Sequence, residues 1–187
     1  MKCLLFLMFV PCFVVAQSKM AGIGSFKIGR TTISELEPIW QQDHQAMGHI
    51  DSDSPNVYYF FADDYIISGI PITNLRLIFY KDTLFSIECD YSDTLMKALK
   101  AKYGDPRVQI KKKAAVCPTG AETDESEFYP AAADMVAMGY FHMGFDKNCN
   151  KEFYNSFSLE KASTARSVDL AYRKKGKEAL KKKLDAF

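Results

Sequence analysis

Residues able to do chemistry gather most densely between Asp43 and Asp53, where Asp43, His44, His49, Asp51 and Asp53 fall within eleven positions. Imidazole and carboxylate are the donors a divalent cation takes, and a polar loop could fold them around one ion. The spacing is His-x4-His with Gly48 between, so the two rings do not share a helix face as the i, i+4 pair of a zincin would. A solvated polar loop is therefore the first expectation here. A metal-binding protein or metal-dependent hydrolase using His44, His49, Asp51 and Asp53 is the alternative. His142 lies in a strand-like run between Phe141 and Met143. No Gly-x-Ser-x-Gly elbow accompanies it, so it reads as a strand histidine with an ordinary hydrogen bond. There is no Gly-x-Gly-x-x-Gly with strand and helix around it and no Walker motif, so no cofactor is expected.

The first residues carry an address. Met1-Lys2, the apolar run Cys3–Val15 and the small Ala16 before Gln17 make the pattern of a secretory signal peptide. The run is shorter than the ~20 apolar residues a bilayer core needs, so no transmembrane segment is expected after cleavage. Val10-Pro11 ahead of Cys12 is a poor lipid-attachment context. The reading is a leader over 1–16 and one domain over 17–187, periplasmic or secreted. Removing the leader takes away Lys2 and leaves 23 basic and 23 acidic side chains. They are unevenly spread: from Lys161 onward nine basic residues face three acidic ones, while residues 17–160 carry a net −6. A neutral chain whose basic tail lacks interleaved aromatics is a poor candidate for nucleic acid. The tail over 174–187, with Leu180, Leu184 and Phe187 on one face, could touch an anionic membrane surface, but docking on its own domain is the first expectation.

Cysteines follow the compartment. Cys89 sits in an apolar strand row and packs as a small hydrophobe. Cys117 and Cys149 fall in loop-like sequence, and in an oxidising compartment they are expected to pair.

The elements that must position these groups centre on Asn74–Tyr91, NLRLIFYKDTLFSIECDY, which alternates with period two on both arms. A three-residue turn at Lys81-Asp82-Thr83 would pair Phe79 with Phe85, Leu77 with Ile87 and Leu75 with Cys89. It would also set Arg76 opposite Glu88, a pair contributing about 0.2–1 kcal/mol. Thr32 and Glu35 have capping-box spacing ahead of a helix reading from Ser34 to about His44. Ser92, then Leu95, Leu99 and Tyr103, then Gly104-Asp105-Pro106 specify a second helix. Strands are expected at 57–61, 65–70, 108–116, 135–145, 153–159 and 168–172, and a last helix at 177–187. The acidic stretch 118–134 reads as a long irregular loop. No internal repeat is evident. The fold class is α+β: an antiparallel sheet built as a meander of hairpins, with two or three helices mainly on one face. The aromatic run Val57–Phe61 reads as core. If it instead serves a partner, Tyr58 and Phe60, with Glu125 and Glu127 of the acidic loop, are the contact residues.

Ile28-Gly29-Arg30-Thr31-Thr32 ahead of a helix, the strand–turn–strand of Leu75–Ile87, and Tyr103-Gly104-Asp105-Pro106 together resemble a group of small exported bacterial proteins. These have the fold of the β-lactamase-inhibitor protein and of the small outer-membrane assembly lipoprotein. The resemblance covers about a third of the chain, lacks the lipid-attachment motif, and continues with further strands after the Gly-Asp-Pro stop. It implies that the protein binds another protein, one of the cell envelope, and it transfers no functional residue.

Overall fold

The computed structural model describes residues 18–42, 46–49, 56–117 and 120–184. The leader over 1–16 lies outside them, as do Asp43, His44, Asp51 and Asp53.

After a two-strand ribbon, β1 (Gly22–Ile23) and β2 (Phe26–Lys27), the chain lays out the same plan twice. Helix α1 (Ile33–Gln42) precedes β3 (Ala46–His49), β4 (Val57–Ile67), β5 (Ile70–Tyr80) and β6 (Thr83–Cys89). Helix α2 (Asp93–Tyr103) precedes β7 (Arg107–Cys117), β8 (Gly120–Tyr129), β9 (Met135–Phe145) and β10 (Lys151–Lys161). Helix α3 (Ala162–Leu184) follows. All eight strands form one antiparallel sheet in the order β3-β4-β5-β6-β10-β9-β8-β7, so two meanders meet last strand to last strand. The repetition is of layout. The aromatic β4–β5 hairpin and the Lys- and Glu-rich β7–β8 hairpin share no residue pattern.

Local signals explain most elements. Thr32 N–H donates to Glu35 Oε2 (3.1 Å) and Glu35 N–H to Thr32 Oγ1 (3.3 Å), the reciprocal capping box expected at α1. At α2 the Ser92 hydroxyl accepts from Leu95 N–H (3.2 Å). Gly104, at φ 84°, closes the helix onto Lys100 O (2.9 Å). Leu95, Leu99 and Tyr103 are buried, one face of the helix meeting the sheet.

Several expectations need correction. The β5–β6 turn has two residues, since Tyr80 pairs with Thr83 and Phe79 with Leu84, and Lys81 takes φ 59°. A bulge then restores the expected register, Leu77 to Ile87 and Arg76 to Glu88 (3.4 Å). Phe85 is the extra residue, and it packs on the other face with Val57 and Ile78. Asp63-Asp64 does not interrupt β4, which runs on to a two-residue turn with Ser68 at φ 53° and Gly69 at φ 80°. The two aspartates stand exposed where β3, paired only with Tyr58–Phe61, no longer covers β4. A charged stretch suits that open edge. The acidic stretch expected as a loop is mostly β8, paired with β7 so that Lys111 faces Asp124 and Lys113 faces Glu122. Finally, Val168–Tyr172 is helical: α3 starts at Ala162, where Asp134 accepts Ser163 N–H (3.1 Å) and the Ser163 hydroxyl (2.5 Å).

Two cores result. The larger lies on the face that carries α1, α2 and the N-terminal ribbon, here the inner face, and includes Phe60, Leu75, Leu77, Phe79, Ile87, Tyr91, Leu95, Phe157 and Leu159. The smaller lies under α3 on the outer face, where Ala165 and Val168 pack on Val57, Ile78, Phe85 and Tyr80. No helix of the described residues is long and apolar enough to cross a membrane.

Candidate binding face

Glu127 is the most deeply placed carboxylate of the inner face, only 5% exposed on β8. Its Oε2 accepts the Tyr91 hydroxyl at 2.5 Å and the Tyr129 hydroxyl at 3.3 Å, and the two hydroxyls touch each other. Its Oε1 accepts from Lys100 Nζ of α2 at 3.1 Å. Three donors offset the cost of burying one charge. Burial first, then the bond to Glu127, pushes the Tyr91 phenol far up, and burial pushes Tyr129 up to about 12, so both stay protonated donors. The network ties α2, the chain after β6 and β8 together at one point. Gly139 makes it possible, because the Tyr91 ring occupies the space where a side chain on β9 would stand.

Beyond this point α2 no longer covers the sheet. A groove of about 620 Å³ opens, bounded by Glu127 and by Met96 of α2. Thr123 and Glu125 of β8, Phe141 and Met143 of β9, and Phe153 and Asn155 of β10 line the rest of it. Register places Val108 opposite Glu127 and Ile110 opposite Glu125, so β7 extends the same face, with those two side chains 49% and 56% exposed. Phe153 is 72% exposed because β10 pairs with β6 only over Phe157–Glu160, while it pairs with β9 over its whole length. Asn155 bridges that step, its side-chain amide donating to Tyr91 O (3.2 Å). Glu127 is already matched by Lys100, which leaves Glu125, amid aromatic and methionine side chains, as the carboxylate able to meet an apolar segment that carries positive charge.

The outer face of the same strands carries a polar cluster. Asp124 Oδ2 accepts from Lys113 Nζ (2.9 Å), and its Oδ1 accepts the Tyr140 hydroxyl (2.8 Å) and lies 2.7 Å from His142 Nδ1. Lys113 first, then His142 and Tyr140, hold the Asp124 carboxyl far below the usual carboxylate range. The His142 ring lies over Gly144, where a Cβ would stand 2.4 Å from Nε2. His142 is thus the hydrogen-bonded strand histidine the sequence suggests. The cluster clips β7, β8 and β9 together.

The sequence-predicted contact residues separate. Phe60 is fully buried, its ring 5.4 Å from that of Phe79, and serves the core: β4 is covered by β3 at its edge and by the inner core on its face. Tyr58 is half-buried against the same core. Glu127 is an internal anchor, so its expected place on an exposed loop is corrected. Of the four, Glu125 lines the groove and Glu127 closes its inner end, while Tyr58 and Phe60 lie away from it. His49 ends β3 opposite Tyr58, and the other members of the His/Asp set lie outside the described residues. Among the described residues no three His, Cys, Asp or Glu side chains group to hold a metal. Phe141, Met143, Phe153 and Met96 were not predicted, since only the pairing of β9 with β10 and the docking of α2 on the sheet bring them to one groove. The Cys117–Cys149 disulfide is formed as expected, joining the end of β7 to the β9–β10 turn.

No family model, no curated protein and no solved structure matches the chain.

Proposed function

We propose that this is an exported, non-catalytic protein of the cell envelope that holds another macromolecule against the inner face of β8–β10. The observation that carries the reading is the groove beyond α2, an apolar sheet face left uncovered between a rigid Glu127 anchor and the exposed Phe153 ring. Soluble chains seldom leave such a face open without a partner. Export is supported by the leader pattern of residues 1–16 and by the Cys117–Cys149 bond. A benzophenone amino acid placed at Phe153 tests the reading, with the same group at Ile66, an equally exposed residue on β4, as the control. Illumination of producing cells is expected to give a discrete adduct from position 153 and none from position 66. Equal, diffuse labelling at both sites would remove the groove as a binding face.

A further inference from the structure

The body that leaves the groove open also leaves the middle of its last helix uncovered. α3 has 23 residues, and Ala165 and Val168 of its first turns pack on the outer core. From Asp169 to Glu178 every residue except the half-buried Tyr172 is exposed. Within that stretch Leu170, Arg173, Lys174 and Lys177 recur at i, i+3, i+4 and i+7 and so share one face. Leu170 is 59% exposed, and Arg173 is braced by Asp169 at 2.9 Å. The stripe thus offers one apolar anchor, Leu170, followed by a run of positive charge that suits a partner surface bearing a carboxylate.

Placement decides whose groove. α3 leaves β10 at Lys161 and crosses the outer face over β6 and β5 to Val57 of β4, toward the β3 edge. The groove is on the inner face of the other half of the sheet, at the opposite end of β10. One copy's helix therefore points away from its own groove. Charge acts in the same sense: the chain from Lys161 onward carries nine basic and three acidic residues, and residues 17–160 carry a net −6. The chain holds both halves of a complementary contact and cannot close it on itself.

We infer that the exposed stripe of α3 seats in the inner-face groove of a second copy of this chain, Leu170 among Phe141, Met143 and Phe153, with its lysines beside Glu125. The inference rests on the groove being a binding face and names its occupant. Such a contact joins unlike surfaces, so each added copy presents a fresh helix and a fresh groove, and copies link head to tail.

Sedimentation velocity on the full mature protein tests this, at about 50 mM and about 500 mM salt, where exposed charges are weakly and strongly screened. At low salt the weight-average mass is expected to climb with concentration past that of a pair, and at high salt to fall back toward a monomer. Glu125→Lys, and separately Lys174→Glu with Lys177→Glu, should each weaken association about tenfold or more. Mixing the two variants should restore it, because the reversed groove then meets the reversed helix. Unchanged thermal melts for both variants exclude a folding defect. A monomer at every concentration, or association indifferent to both reversals, overturns the inference. So does pelleting with phosphatidylglycerol vesicles without self-association, which assigns the helix to a membrane surface. A Phe153 adduct to a different protein would overturn the second copy while leaving the groove a binding face, and no adduct would remove both.

Discussion

The Tyr91 ring lies so close to the backbone of Gly139 that a Cβ there would stand 2.2 Å from Tyr91 Cε1. Glycine weakens a strand by its own conformational freedom, and here it leaves room for the ring whose hydroxyl satisfies Glu127. Gly139→Ala must therefore displace Tyr91 or bend β9, at a cost of about 1–3 kcal/mol or more. Urea melts should show that loss in the native background and a much smaller one when Tyr91 is already leucine, because the two changes share one contact. An additive pair of effects would mean that the ring does not rest on Gly139.

On the outer face the sign of a pH effect follows from Asp124. Lys113, His142 and Tyr140 lower its carboxyl from the ordinary 3.8, so its ionised form is bound more tightly in the folded chain than in the unfolded one. The stabilisation is complete above the unfolded value and is lost as pH falls from about 3.8 through the lowered folded value. Asp124→Asn should reduce stability at neutral pH, and its deficit relative to the native chain should shrink as melts are taken down toward pH ~2. A deficit constant from neutral to acid pH would show that the carboxylate charge is not what holds the clip.

What the residues disclosed depended on how local the signal was. α2 was legible whole, because Ser92, the Leu95–Leu99–Tyr103 row and Gly104 lie within thirteen positions and each fixes one physical feature. The β5–β6 register was legible in its lower half, Leu77–Ile87 and Arg76–Glu88, and misread at the turn. Phe85 suits either face, since α3 makes the outer face apolar at that point, so alternation could not reveal the bulge. β8 was hidden for the opposite reason. Its inner row, Thr123-x-Glu125-x-Glu127, is polar although that face adjoins the core: Tyr91, Tyr129 and Lys100 satisfy Glu127, while Thr123 and Glu125 line the open groove. The groove residues come from an α-helix and three strands, a set that no single window of sequence contains.

The disulfide closes the far end of the sheet. Cys117 ends β7 and Cys149 sits in the β9–β10 turn at φ 63°, 32 residues apart in sequence. A closed loop of that length restricts the unfolded chain by about 3–4 kcal/mol in the chain-entropy model. The double variant Cys117→Ser/Cys149→Ser should lower the denaturant midpoint accordingly. A loss under about 1 kcal/mol would show that the unfolded chain is already held compact by other means.

Cys89 should behave in the opposite way, as a thiol that chemistry cannot find. It is 5% exposed in the last pair joining β6 to Phe157 of β10. Burial foremost, then the negative charges of Asp90 and Glu88, push its thiol from 9.0 up to about 12. Because the thiolate is the reacting species, three pH units leave about a thousandfold less of it at mildly alkaline pH, before access is considered. Iodoacetamide at pH ~8 should therefore leave the Cys89 peptide unmodified in the folded protein and modify it fully in guanidinium. Mass mapping under non-reducing conditions separates it from the bonded pair. Ready labelling of the folded chain would mean that the β6–β10 seam opens, and with it the junction on which both halves of the sheet depend.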